Sequence, residues 1–240
     1  MVEERPPLRI VISDPKAGKL KPIKVKVKGV EDEELEVKPE MRRTKDQERK
    51  ALPLAKANPS LIKKLQLDEV GVITLRFRTE DGKKVNISLK VIPDENVPED
   101  TIHVNMELLG ELVGDLEAEA EAFRAKAWQI AVDESVAVKL AGLEIGDVFE
   151  GELIGYPGLR FKIRGGSDAT GFPMHPGVPG SVKKKILLNG PPGFHPTRRG
   201  ERRRKTVRGR MIPDPRGERR KTALAQLNVV IYYPEREEKE

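Results

Sequence analysis

Apolar and polar residues alternate with a period of two along much of this chain, a pattern typical of β-strands that bury one face. The alternation is clearest in residues 72–92, where two such runs flank a short polar segment. The pattern predicts a mainly β protein, with strands at Leu8–Ser13, Ile23–Val30, Val72–Arg78, Val85–Ile92, Trp128–Val132, Val148–Ile154, Leu159–Ile163, Ile186–Leu188 and Leu227–Tyr233.

Two short turns join neighbouring predicted strands. Residues 14–19 contain a proline and a glycine, which suit a tight turn, so we expect the first two strands to form a hairpin. Residues 79–83 contain an Asp-Gly pair, which supplies the positive φ angles that hairpin turns require. The third and fourth strands should therefore form a second hairpin.

Three segments show helical spacing instead. In Leu109–Phe123 the apolar residues recur every three or four positions and carboxylates fill the opposite face, so we predict an amphipathic helix that ends near Ala125. Ser60 can cap a short helix with an apolar stripe. Asp133 can cap another, which should stop at Gly142.

Charge is distributed unevenly along the chain. The 240 residues include 45 Lys and Arg and 39 Asp and Glu, for a formal net charge of +6. Residues 162–221 contain 17 basic and 4 acidic residues and carry +13, so the remainder carries −7. A local excess of this size indicates a polyanionic partner such as nucleic acid.

Several classes of function are disfavoured by the residues. The absence of cysteine excludes disulfides and thiolate zinc sites, so we expect a reducing compartment and no metal or other cofactor. Only three histidines are present and they lie far apart, so we predict no enzymatic activity and no small-molecule substrate. No apolar run approaches the roughly 18–20 residues of a membrane span, and the first residues do not form a secretory signal. We therefore expect an intracellular protein without a membrane partner.

The densest basic cluster lies in residues 198–210, which hold eight cations and one acid. Seven of the eight cations are arginines, whose planar guanidinium groups bind phosphate through paired hydrogen bonds and stack on bases. Phosphate recognition is the favoured interpretation. A solvated run of charge and a nuclear-targeting patch are the alternatives.

Two loops rich in glycine and proline accompany this cluster. Residues 189–196 could hold Phe194 and His195 against a base or sugar, although Phe194 could equally fill the core. Residues 165–174 contain adjacent glycines that would permit close approach of a partner, but a tight loop that packs Phe172 and Met174 is the favoured interpretation.

Three basic or glycine-rich segments, in their order and spacing, resemble one known family. These are residues 165–174, residues 183–188 and residues 199–209. Residues 143–147, 159–164 and 10–19 carry weaker likeness, and together the match spans about half of the chain. The chain resembles the small-subunit ribosomal protein six family of archaea and eukaryotes.

The resemblance implies a compact β-barrel-like domain that binds ribosomal RNA as a structural constituent of the small ribosomal subunit. Family members pass almost directly from the first turn to the strand matching residues 126–132, so we infer a long α+β insertion at residues 20–125. The barrel-like domain would then comprise residues 1–19 and 126–233, with a basic C-terminal loop region and a charged tail at 234–240. An alternative is an RNA-binding assembly factor, in which the acidic insertion recruits a protein or screens the basic half.

The expected partners are small-subunit ribosomal RNA and neighbouring ribosomal proteins, on cytoplasmic ribosomes. The residues predicted to bind RNA are Lys162, Arg164, Lys183, Lys184, Lys185, Phe194, His195, Arg198, Arg199, Arg202, Arg203, Arg204, Lys205, Arg208 and Arg210.

Overall fold

A computed structural model describes residues 7–19, 21–42, 48–78, 84–217 and 223–233. Within these ranges the chain is mainly β, as predicted. The strands are β1 Leu8–Ser13, β2 Ile23–Val30, β3 Leu54–Ala57, β4 Val72–Arg78, β5 Lys84–Pro93, β6 Thr101–Asn105, β7 Glu117–Arg124, β8 Ala127–Val132, β9 Val148–Glu150, β10 Arg160–Asp168, β11 Lys183–Leu188, β12 Arg203–Arg208 and β13 Leu224–Ile231. The α-helices are α1 Pro59–Lys64, α2 Met106–Val113 and α3 Glu134–Leu140.

The chain divides into two compact units. The first comprises residues 1–13 and 131–240, and the second comprises residues 14–130. Each unit has β-strands and a hydrophobic core of its own.

The second unit is a closed barrel with strand order β2-β6-β3-β5-β4-β7. Alternating apolar side chains fill its interior, among them Val25, Val27, Leu75, Phe77, Leu89, Ile102 and Val104. A closed barrel therefore lies in the segment predicted to be an α+β insertion, whereas the predicted barrel-like domain contains an open sheet. The two strands β3 and β6 were missed because each is only four or five residues long.

The predicted helix at Leu109–Phe123 is wrong over its second half. Helix α2 ends at Gly114, whose φ of 90° terminates the helix in the left-handed region. Strand β7 then begins, and its alternating glutamates and alanines send Ala120 and Ala122 into the barrel. The glutamates face the lysines of β2, with Lys24 opposite Glu121. The alanines of this segment fit the spacing of a helix as well as the alternation of a strand, so the sequence pattern did not distinguish the two.

The two ends of the barrel unit are joined by a buried ion pair. Arg124 Nε donates to Asp14 Oδ2 over 2.6 Å, and both side chains are almost fully buried. The backbone N–H of Asp14 also donates to the carbonyl oxygen of Lys126. These contacts hold the first residue of the barrel unit, Asp14, against the end of the last barrel strand, β7.

The hairpin predicted in this unit is confirmed. Strands β4 and β5 pair in antiparallel register with Arg78 opposite Lys84, and the turn predicted at 79–83 lies outside the described residues. The short helix α1 was also predicted, but its cap is Asn58, whose side chain accepts a hydrogen bond from the backbone N–H of Ser60.

A five-stranded sheet has the order β8-β1-β13-β10-β9. Strands β1, β9, β10 and β13 belong to the first unit, and so do the last two residues of β8. Strand β1 pairs in parallel with β13, with Ser13 opposite Val230, so the predicted hairpin between β1 and β2 is wrong. The chain continues after residue 14 into the barrel unit instead of folding back, and the strongly apolar β13 supplies the partner for β1.

One face of this sheet forms the core of the first unit. Ile10, Ile12, Phe161 and Ile163 are fully buried on it, and the ring of Phe149 lies 5.8 Å from that of Phe161. Strand β9 is shorter than the predicted Val148–Ile154, because the chain turns into a short 3₁₀ helix at residue 151.

Candidate nucleic-acid interface

Strands β11 and β12 form a separate antiparallel hairpin in the first unit. Its register places Leu187 opposite Arg204 and Lys185 opposite Thr206 on one face, where the three longer side chains are exposed. Residues 198–210 were predicted to be a loop, because β12 contains Val207 as its only apolar residue. The cationic cluster is therefore partly a regular strand.

The other face of the hairpin covers a small hydrophobic core. This core consists of Val178, Leu188, Phe194 and Val207, with Ile186 packed against it. Phe194 is only 7% exposed. Of the two interpretations left open for this residue, the structure supports the core, and its direct contact with RNA stays a prediction.

The structure distributes the fifteen predicted residues among three environments. The exposed ones are Arg164, Lys184, Lys185, His195, Arg198, Arg199, Arg202, Arg203, Arg204 and Lys205. Lys162, Lys183 and Arg210 are half-buried, while Phe194 and Arg208 are buried. Eight exposed cations lie on the hairpin and the loop between its strands, and we call them the basic surface: Lys184, Lys185, Arg198, Arg199, Arg202, Arg203, Arg204 and Lys205.

Arg208 is 1% exposed and faces the buried carboxylate of Asp168. Its Nη1 atom lies 3.8 Å from Asp168 Oδ2, and the Nζ atom of Lys183 lies 2.6 Å from the same oxygen. Arg208 is therefore the most enclosed of the predicted RNA-binding cations. It thus contributes its charge to a buried ion pair, and its contact with RNA stays a prediction.

Asp168 organises the loop that follows β10 as well as the hairpin. Its Oδ1 atom accepts hydrogen bonds from the backbone N–H groups of Thr170 and Phe172 and from the Thr170 hydroxyl. Burial raises the pKa of Asp168, but the bonds from Lys183, Phe172 and Thr170 outweigh burial and hold this pKa below its ordinary value. The carboxylate is therefore ionised and links the five-stranded sheet to the start of β11.

A single acidic residue, Glu201, lies within the cationic segment 183–210. Its carboxylate accepts hydrogen bonds from the backbone N–H and hydroxyl of Thr197, and it pairs with Arg203 Nε over 2.9 Å. The Thr197 bonds, together with the charge of Arg203, lower the pKa of Glu201. Glu201 thus fixes the turn that presents Arg198 and Arg199 and costs the surface one unit of positive charge.

Two glycines allow the hairpin to lie against the preceding loop. A Cβ atom on Gly209 would lie 1.9 Å from the carbonyl oxygen of Gly180, so no larger residue fits without displacing backbone.

The predicted RNA-binding residue Arg210 pairs with Glu144 over 2.7 Å, which neutralises much of its charge. Arg210 therefore contributes less to the surface than the sequence suggested.

Among the described residues, no group of three or more His, Asp or Glu side chains is arranged to hold a metal ion. None of the helices described is long and apolar enough to cross a membrane.

Known proteins match this chain over its full length. The profile of the family described as Ribosomal protein S6e matches residues 120–239, which include the hairpin and the basic surface. The chain belongs to the ribosomal protein S6e family. It is 66% identical over 238 residues to the small ribosomal subunit protein eS6 of Aeropyrum pernix, an alignment that covers 99% of this chain and 100% of the relative.

More distant S6e relatives also extend across both units. The small ribosomal subunit protein eS6 of Hyperthermus butylicus is 50% identical, covering 97% of this chain and 100% of its own. That of Staphylothermus marinus is 44% identical, with coverages of 94% and 98%. Alignments of this length include the barrel unit, so these S6e relatives contain a matching segment.

The S6e resemblance identified from sequence is thereby confirmed, but some residues of the interface were missed. Asp168 lies in the glycine-rich segment 165–174, and Glu201 is the one acid of residues 198–210. Neither has a distinctive local signal, since each acts through residues that the fold brings to it. Only the side-chain chemistry, a carboxylate within a cationic segment, could have drawn attention to them.

Proposed function

We propose that this S6e protein is a structural constituent of the small ribosomal subunit and binds ribosomal RNA through its basic surface. The observation that carries the proposal is that eight exposed cations lie on one hairpin and its loop, with Glu201 as the only acid among them. Such a concentration of like charge is stabilised by a polyanion. The names of the relatives, which are small-subunit proteins, support the same conclusion.

The arrangement favours recognition of backbone and shape over reading of bases. The cations are mostly arginines, which bind phosphate oxygens in pairs, and the hairpin beneath them has its own core, so their spacing is fixed before binding. His195 is exposed beside them and can reach a sugar or phosphate. No catalytic step is part of this function, and its proposed location is the cytoplasmic ribosome.

We also propose that the barrel unit is an accessory insertion in the S6e fold. The family profile begins at residue 120, near the end of the barrel, and the remainder of the match lies in the first unit.

Sedimentation of the endogenous protein through a density gradient tests the main proposal. We expect stoichiometric co-migration with small-subunit RNA in mature subunits at low salt, and partial release at high salt, because the contacts are electrostatic. Presence in precursor particles alone would contradict a constituent role and would indicate an assembly factor. A variant that lacks residues 20–125 should still incorporate if the barrel is accessory.

A further inference from the structure

The five-stranded sheet leaves the face opposite its core partly open to solvent. Along β10, Phe161 and Ile163 are buried, whereas Arg160 and Arg164 at alternate positions are exposed. Lys162 lies between these two arginines in the same alternation and is half-buried. Three cations, none of which belongs to the basic surface, therefore follow one another along a strand in the interior of the sheet.

The register of β13 places an aromatic ring and two amides beside these cations. The guanidinium of Arg160 lies over the ring of Tyr232, 5.3 Å from its centroid. Asn228 pairs with Gly165, and Gln226 donates from Nε2 to Asn228 Oδ1 over 2.8 Å. Because each amide carries two donors and an acceptor, the pair keeps hydrogen-bonding capacity beyond this mutual bond.

Exposed apolar side chains in the first unit accompany the two cationic surfaces. Val182 is 60% exposed and Leu187 is 57% exposed, and both belong to the hairpin or its approach. Val148, at 39%, and Tyr232, at 37%, belong to the open sheet face. Single exposed hydrophobic residues are common, but apolar groups that lie among cations are typical of surfaces that bind the bases as well as the phosphates of a nucleic acid.

We propose that the open sheet face is a second RNA-binding surface and that it binds an unpaired, single-stranded segment. Unpaired bases expose their faces, which can stack on Tyr232 and on the guanidinium plane of Arg160 and can cover Val148. Amides at Gln226 and Asn228 can bind base edges. A duplex hides its base faces and would leave these groups in water.

Charge complementarity favours RNA as the occupant. The carboxylate of Glu150 lies opposite Arg160 in the register, and the three cations of β10 outweigh it. Arg160 and Lys162 occupy alternate positions of the regular part of β10, and exposed Arg164 lies where the pairing with β13 shifts between Ile163 and Gly165. The phosphates of an extended strand can follow these three neighbouring cations. This binding mode adds to the phosphate binding proposed for the hairpin and uses different residues.

The test compares two variants with equal loss of charge. In full-length protein, Arg160, Lys162 and Arg164 are replaced together by Ala, or else Arg202, Arg203 and Arg204 are. Binding of a fluorescently labelled oligouridylate is measured by anisotropy at constant salt, and thermal unfolding checks the fold. We expect the sheet variant to lose about tenfold or more in affinity and the hairpin variant to stay within about threefold of the unaltered protein.

A milder variant keeps the test decisive if the triple replacement unfolds the sheet. Tyr232→Leu retains an apolar side chain but removes the aromatic ring, and we expect it to weaken oligouridylate binding at least about fivefold. Equal losses in both triple variants, or unchanged binding in Tyr232→Leu, would overturn the proposal, as would failure of the unaltered protein to bind oligouridylate. A duplex RNA probe separates this outcome from failure of the proposed function, because only the hairpin variant should lose duplex binding.

Discussion

Asp168 and Lys183 form a salt bridge of 2.6 Å that joins the end of β10 to the start of β11. Asp168 belongs to the five-stranded sheet, and Lys183 belongs to the hairpin that carries the basic surface. By net charge alone, the negative Asp168 should weaken the attraction of this positive region to RNA. Its position indicates that it favours RNA binding instead, because its salt bridge holds the hairpin in place.

Replacement of Asp168 by Asn should therefore weaken RNA binding, although it adds positive charge. The amide cannot neutralise Lys183 and the buried Arg208, so we expect a loss of about 1–3 kcal/mol in the free energy of unfolding. Chemical unfolding and RNA affinity, measured on the same preparation, check both effects. Asp115→Asn makes the same change at an exposed position and should alter neither. Tighter RNA binding by the Asp168 variant would show that charge, and not anchoring, dominates.

The same carboxylate should make the fold sensitive to acid. Because the folded-state pKa of Asp168 lies below its ordinary value of 3.8, its stabilising effect is complete above that value and disappears as the pH falls through the lower folded pKa. The difference in Tm between the unaltered protein and Asp168→Asn should be constant from about pH 7 to pH 5 and should shrink below about pH 4. Thermal unfolding across this range measures it. A difference that grows on acidification would contradict the assigned ionisation.

Arg202, Arg203 and Arg204 should account for part of the salt dependence of RNA binding. If each contacts a phosphate, their replacement by Ala should reduce the slope of log affinity against log salt by about 2–3. Filter binding over a range of salt concentrations measures the slope. Replacing Lys63, Lys64 and Lys90 of the barrel unit removes the same charge and should leave the slope unchanged. Equal effects of the two triple variants would mean that the arginines act only through net charge.

Phe194 and His195 should differ in their contribution to stability, although they are adjacent in the sequence. Phe194→Ala empties the small core beneath the hairpin and should cost about 3–5 kcal/mol, or less if the hairpin collapses into the space. His195→Ala removes an exposed side chain and should change stability by less than about 0.5 kcal/mol. Denaturant unfolding of both variants checks this contrast. Similar stabilities would mean that Phe194 does not support the hairpin.

Gly209→Ala should destabilise the first unit by about 1–3 kcal/mol, because the added methyl group meets the backbone of Gly180. Gly110→Ala makes the same change within helix α2, where nothing lies within 4 Å of the added atom. That variant should gain about 0.5–1 kcal/mol from helix propensity. Thermal unfolding measures both shifts. A neutral Gly209→Ala would show that the close approach to Gly180 can relax.

Sequence patterns predicted strands well where large apolar residues alternate with polar ones. Strands β1, β2 and β4 have the predicted bounds because valine, isoleucine and leucine mark one face of each. Strands β7 and β12 were missed for a shared reason, since alanine marks the inner face of one and a single valine marks that of the other. Partners of strands were harder to predict, because the parallel pairing of β1 with β13 depends on residues more than 200 positions away.

The sequence predicted the positive charge of the candidate interface but not which of its cations are buried. Composition alone located the cationic segment, since an excess of charge is visible without a fold. It could not distinguish Arg208 from Arg204, four positions earlier in the same strand, because the burial of Arg208 depends on Asp168. The open sheet face was overlooked for the same reason: Arg160 and Tyr232 come together only through the pairing of β10 with β13.

The pairing of β1 with β13 also sets an order of events during synthesis. The hydroxyl of Ser13 donates to the carbonyl oxygen of Val229, 216 positions later, whereas all strands of the barrel lie between Ile23 and Arg124. At about 5–20 residues per second, the first strand waits on the order of 10–40 s for its partner, while the barrel can already close. The earliest strand to emerge is thus among the last to be folded. A nascent chain released before residue 224 would carry a finished barrel and an unfinished sheet.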